Sequence, residues 1–346
     1  MDELKRVTFQ EKLGSLYDKT ERVASMLDFL SEKVLPSARD SLHRAALLAK
    51  TDLITGIVRE FPELQGTMGK YYALHDGENT EVAHALEEQY LPAYSGGKLP
   101  QTEVGSLLSI ADKIDTITAF FSVGVKPTGS EDPFALRRQA LGIIAILLQK
   151  RYGITLKELV ERSLENLKNI KDFREIRELG LKFFEGRIEP VFTEQGYSPD
   201  IVQAVLPLSL NVPIDDVRER LDAIEKFKAH TRYNDFLTAI KRVNNILPEK
   251  ALPECTPELM KEESEKTLKD SMDSVMSRLQ VLLKDRKYAD SMDLLTALTD
   301  PINRFFDNVL VMDKNEEIKK NRLALLGTIW GAISTVADFS QLKETL

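Results

Sequence analysis

The chain has 346 residues, 42% of them hydrophobic, with a formal net charge of −8. That length suggests two or three domains and can bury a sizeable core without staples, while the acidic balance excludes a uniformly basic nucleic-acid binder, so that any RNA contact must come from local basic faces. A single cysteine, Cys255, excludes an internal disulfide framework and fits a reducing, cytoplasmic setting.

The N-terminal run "MDELKRVTFQEKLGSL" lacks the apolar core of a signal peptide, and its charged opening reads like the interior of a longer protein. No segment approaches the apolar length of a membrane span, so no membrane contact is expected. Helical spacing dominates thereafter. Leu16, Val23, Leu27, Leu30 and Val34 mark a first helix, closed by Pro36 and Ser37. Leu42, Ala46, Ala49, Leu53 and Ile57 mark a second, expected to stop at Phe61-Pro62. Gly66, Gly69 and Gly77 loosen the next stretch. Val82, Leu86 and Tyr90 mark a helix ending before Pro92, and a long apolar helix is expected over Thr102 to Phe121.

After the loop "GVKPTGSEDP", Asp132 should cap a helix that opens at Pro133 and runs to Gly153. Thr155 with Glu158, and Asp172 with Glu175, have capping-box spacing. Ser198-Pro199 starts a further helix, and longer amphipathic helices follow Pro213. Between Pro253 and Met276 seven acids meet three basic residues, which suggests a solvated helix face or linker. The fold class is therefore all-α. Boundaries near 155 and 225 give three parts, 1–155, 156–225 and 226–346. The second boundary precedes a basic run, Lys228 to Lys250, in which five Lys/Arg meet two acids.

His43, then His75-Asp76, then Asp112 form a possible metal tetrad whose order resembles the HD superfamily of metal-dependent phosphohydrolases. Such chemistry needs imidazoles and carboxylates from separate helices to converge on one ion. The alternative is a capping or hydrogen-bonded His-Asp pair beside Gly77. Cys255 has acidic neighbours that disfavour a thiolate. Gly124, Gly129 and Ser130 could cradle a phosphate before a helix N-terminus, although Asp132 opposes an anion there and a plain turn explains them as well. No P-loop, dinucleotide or nucleophile-elbow fingerprint occurs.

Three basic clusters remain. Arg137, Arg138, Lys150 and Arg151 lie in a stretch, 134–152, without any acid. Lys241 and Arg242 are followed by Asn244 and Asn245, and Lys319 and Lys320 by Asn321 and Arg322. Lys and Arg suit phosphates, and Asn and Arg can also read splayed bases. Each cluster could equally be a solvated helix face.

The strings "FQEKLGSLYDKTERV", "AALLAKTDLITGIVREFPELQGTMGKYYALHDGE", "LPQTEVGSLLSIADKIDTITAFFSVGVKPTGSEDPFALRRQALGII", "KRVNNIL" and "FFDNVLVMDKNEEIKKNRLALL" resemble the β subunit of bacterial two-subunit glycyl-tRNA synthetases, in order and over almost the whole chain. The resemblance implies an HD-like first domain and a C-terminal helical domain like the anticodon binder of arginyl-tRNA synthetases. It implies tRNA-Gly and a class II α subunit (an α2β2 assembly) as partners. ATP, Mg and glycine would be used on the α subunit, with no catalytic residue, metal or cofactor in this chain. "HDGE" fits the family whereas His43 does not, so the tetrad is expected to be an inherited feature of the fold rather than a working centre. The family's β subunit has further domains upstream of "FQEKLGSLYDK". A metal-dependent HD phosphohydrolase and a helical scaffold without RNA are the other readings, separated by metal analysis and by salt-dependent tRNA binding.

Overall fold

The computed structural model describes residues 2–128, 131–168, 170, 172–248 and 254–345. It bears out the all-α class: among the described residues, paired strands are confined to a short antiparallel hairpin, β1 (Thr8–Gln10) and β2 (Gly14–Ser15). The hairpin was not legible in the sequence. Gly14, at φ +86, turns the chain in a conformation that L side chains rarely adopt.

Two compact units divide the chain, Met1–Ile188 with Leu210–Asp215, and Glu189–Ser209 with Asp216–Leu346. The segment 156–225 is distributed over both.

In the first unit, α1 (Leu16–Val34) opens with a Ser15–Asp18 capping box and buries Val23, Leu27 and Leu30. The expected second helix is interrupted. It comprises α2 (Arg39–Leu48), a 3-10 turn at Thr51–Ile54 and α3 (Gly56–Glu60). Thr51 donates to the Leu48 carbonyl and Thr55 to that of Asp52, local side-chain bonds that compete with helix continuation. Next come α4 (Thr67–His75), a regular helix where only a loosened stretch was expected, and α5 (Thr80–Glu88).

The centre of this unit is α6 (Glu103–Ser122), capped by Thr102. Every residue from Val104 to Phe121 is buried except Asp112, so the helix is enclosed on all sides, by α1, α2, α5, α7 and α8 among others. The α7 helix (Leu136–Lys150) starts three residues later than expected. Phe134 and Ala135 sit at φ 59 and 56 and break the helical path, and the Asp132 carboxylate accepts the N–H of Arg137 instead of capping at Pro133. The α8 helix (Leu156–Glu165) carries the expected Thr155–Glu158 box. In α9 (Phe173–Glu194) Asp172 accepts the Glu175 N–H at 2.9 Å.

The second unit holds α10 (Pro199–Val205), α11 (Ile214–Phe227) from Asp216 onward, α12 (Tyr233–Ile246), α13 (Glu263–Lys284), α14 (Tyr288–Leu295), α15 (Thr299–Asn308) and α16 (Glu316–Ser334). The α13 helix packs on α14, α15 and α16, and α12 packs on α15 and α16. Arg220 ties this bundle internally: it meets Asp216 at 2.6 Å and donates to the carbonyls of Thr335 and Val336, both at 2.7 Å. Tyr288 also donates to Asp216. The C-terminal segment is held by Asp338 N–H to the Ala204 carbonyl at 2.7 Å and by the Tyr233 hydroxyl to the Lys343 carbonyl at 2.9 Å.

Candidate nucleic-acid interface

In the first unit the tetrad does not assemble into a ligand set. His43 lies exposed on α2, and His75 and Asp76 lie exposed at the end of α4. Among the described residues no three His, Cys, Asp or Glu side chains are placed to hold a metal. Asp112, on buried α6, is instead flanked by two lysines, with Lys19 and Lys50 both 3.1 Å from Oδ1. Burial alone would push its carboxyl up, but the charges of these lysines outweigh that and hold it well below the usual range. Lys19 also meets Asp115 at 3.1 Å and Thr116 at 2.8 Å, and Arg22 meets Asp115 at 2.7 Å. The lysines ion-paired with Asp112 thus lie 93 and 62 residues away, a pairing that spacing could not reveal.

The first basic cluster divides. Lys150 is used internally, 2.8 Å from Glu103, and Arg151 reaches Asp215 at 3.6 Å. Arg138 is exposed. Arg137 is half-buried and donates to the Glu131 carbonyl at 2.9 Å. Of the proposed phosphate cradle, Gly124 is a turn residue at φ +83, and Gly129 and Ser130 lie outside the described residues.

In the second unit, α12 exposes Arg242 and Asn245 and leaves Lys241 and Asn244 half-buried. Arg242 is steered by α15: its guanidinium meets Asn303 at 3.2 Å and Asp307 at 3.6 Å, and lies over the Phe306 ring at 4.6 Å. Lys250, at the end of the basic run, lies outside the described residues.

The α16 cluster is corrected by the fold. Asn321 and Arg322 sit in the second turn of α16, and both are buried. Asn321 exchanges two hydrogen bonds with the backbone of Thr256, at 2.6 and 3.0 Å. Arg322 binds Glu265 at 3.0 Å, Asp313 at 2.9 Å and the Leu310 carbonyl at 2.9 Å. Neither can reach a base edge from there. Glu265 belongs to the stretch expected to be solvated, and it is 1% exposed because Arg322 requires a carboxylate inside the bundle. Lys319 is half-buried and pairs with Glu316 at 3.2 Å, whereas Lys320 is exposed. Leu323 and Leu326 pack inward, and Trp330 is half-buried. Cys255 is half-buried, and burial pushes its thiol up, away from a reactive thiolate.

Sequence reasoning missed the connection between α15 and α16. Val309 and Val311 point inward, whereas Leu310 and Met312 are 70% and 51% exposed. This alternation is the signal of a half-buried extended segment, here only four residues long and masked by the helices around it. Arg322 holds the segment through the Leu310 carbonyl and Asp313, so a residue expected to touch RNA shapes a surface loop instead. Of the clusters read from the sequence, this unit turns Arg242, Asn245 and Lys320 to solvent and leaves Lys241 half-buried.

A family model described as the glycyl-tRNA synthetase beta subunit matches residues 1–207, and one described as the DALR anticodon binding domain matches residues 229–336. Three similar proteins bear the name glycine–tRNA ligase beta subunit. That of Colwellia psychrerythraea is 39% identical over 343 residues, 98% of this chain and 50% of its own length. That of Syntrophus aciditrophicus is 40% identical over 341 residues (98% and 49%), and that of Clostridioides difficile 40% identical over 344 residues (99% and 50%). The chain thus spans about half the length of these relatives.

Proposed function

The chain belongs to the glycyl-tRNA synthetase beta-subunit family, and from that premise we propose that it is the tRNA-recognising part of a glycine–tRNA ligase. It binds tRNA-Gly, including the anticodon, while a separate α subunit attaches glycine using ATP and Mg. The observation that carries this reading is the position of the anticodon-binding match. It falls on α12 to α16, where Arg242, Asn245 and Lys320 face solvent and Lys241 is half-buried. Lysine supplies phosphate contacts there, and the asparagine amide can pair with a splayed base. In the first unit Arg138, which is exposed, and Arg137 beside it add cations. By this reading the α subunit is also a binding partner, in an α2β2 assembly, and the whole works in the cytoplasm.

Filter binding of the chain to tRNA-Gly and to a second tRNA, over a range of salt, tests it. Preferential, salt-dependent binding of tRNA-Gly, without ATP–pyrophosphate exchange by the chain alone, is expected. Equal, weak binding of both tRNAs would overturn it.

A further inference from the structure

We propose that Phe134 is a stacking site for an unpaired RNA nucleotide, with the nucleotide's phosphates met by the cations around it. The proposal rests on the tRNA-recognition reading and adds a site in the first unit.

Phe134 is 58% exposed, yet its ring is not loose. It stacks on Phe120 with centroids 3.9 Å apart and planes at 17°. Phe120 is 2% exposed and is itself backed by Phe9 at 5.5 Å. One face of the Phe134 ring is therefore seated on the core, and its exposure lies on the remaining surface. The backbone is strained to achieve this. Phe134 and Ala135 are consecutive non-glycine residues in the left-handed region, at φ 59 and 56. Such conformations persist only where the surroundings fix them. Here Ala135 N–H is bonded to the Asp132 carbonyl at 3.0 Å, Gln139 donates to the Phe134 carbonyl at 2.9 Å, and the Asp132 carboxylate takes the Arg137 N–H at 3.0 Å. The strain presents an apolar ring to water, the reverse of what a core residue needs.

The surroundings carry positive charge. Arg138 is exposed four residues after Phe134, and half-buried Arg137 follows it by three. Arg187 lies flat on Phe183, 3.5 Å from its centroid, and its Nε is buried without a hydrogen-bond partner. Phe183 in turn packs edge-on against Phe121, at 4.9 Å. Neighbouring phenylalanines of α6 thus support two surface stacks, one open and one covered by a guanidinium. The acids on this loop are Glu131, which is exposed, and Asp132, whose carboxylate is bonded to the Arg137 N–H. A flat apolar face close to arginines matches a base with its phosphates better than an apolar protein segment. Such stacking is tolerant of base identity.

The test is binding of a glycine-anticodon tRNA transcript to the full chain, with Phe134→Leu, Phe134→Trp and Arg138→Ala, each checked by thermal melting. Phe134→Leu should weaken binding about 5- to 100-fold with an unchanged salt slope, because stacking neutralises no phosphate. Phe134→Trp should restore wild-type affinity, and Arg138→Ala should flatten the salt slope. Wild-type affinity in Phe134→Leu would overturn the site while leaving tRNA recognition standing. Absence of tRNA binding by the wild type would overturn both. Weakened binding that Phe134→Trp does not rescue, with a lowered melting temperature, would show a packing role only and sink the proposal. So would loss of binding to the α subunit with tRNA affinity intact.

Discussion

The Arg322 guanidinium lies 3.0 Å from the Glu265 carboxylate, across 57 residues of sequence, with both side chains almost wholly buried. From the same position Arg322 holds Asp313 and the Leu310 carbonyl, and so fixes the connection that exposes Leu310 and Met312. Asp313 is held below the usual carboxylate range, first by the Asn315 backbone N–H and then by Arg322.

Arg322→Ala leaves Glu265 buried without its partner and should destabilise the second unit by about 3–5 kcal/mol. Lys320→Ala, at an exposed position of the same helix, should stay within about 0.5 kcal/mol of wild type. Denaturant unfolding measures both, and equal, small effects would mean that the pair does not form.

Asp112→Ala should likewise cost about 3–5 kcal/mol, because Lys19 and Lys50 lose their shared carboxylate. His75→Ala should be neutral within about 0.5 kcal/mol, since the ring is exposed. Both values are expected to be the same with and without chelator. A melting temperature that chelation lowers in the wild type, but not in His75→Ala, would restore the metal-centre reading.

Anticodon discrimination should depend on α12 rather than on Arg322. With two tRNAs differing only in the anticodon, Asn245→Ala should reduce the preference by roughly 1–3 kcal/mol. Lys241→Ala should weaken both and lower the salt slope by about 0.7–0.9. Full discrimination by a variant carrying both Lys241→Ala and Asn245→Ala would place anticodon reading elsewhere.

Asp200 makes the second unit sensitive to acid. Burial pushes its carboxyl up, but hydrogen bonds from Ser198, Lys228 and the Lys343 backbone N–H outweigh this and bring it to about 2. An unfolded aspartate titrates near about 3.9, so the folded value is the lower one, and the stabilisation is complete only above that pH. It is lost as the pH falls through about 2. Asp200→Asn should lower stability at pH 6 and flatten the dependence between about pH 4 and pH 2, as read by urea unfolding at each pH. A wild-type slope unchanged by the substitution would contradict this.

The sequence by itself determined the helical class and much of the local punctuation. Val23, Leu27 and Leu30 share a helix face because 3.6-residue periodicity puts them there, and the Thr155–Glu158 box needs only four consecutive residues. The string "KPTGSEDPFALRRQALGI" was enough to point to the family. Tertiary structure alone decided which polar groups are left facing solvent. Arg322 and Lys320 are two residues apart and look alike in sequence, but one faces Glu265 on α13 and the other faces water. Asp112 looked like a metal ligand until α1 and the turn after α2 brought lysines to it. Spacing along one helix fixes the face on which a charge lies. Whether that face meets solvent or a partner depends on another helix tens of residues away, because a buried charge is tolerated only where a distant segment supplies its counter-charge.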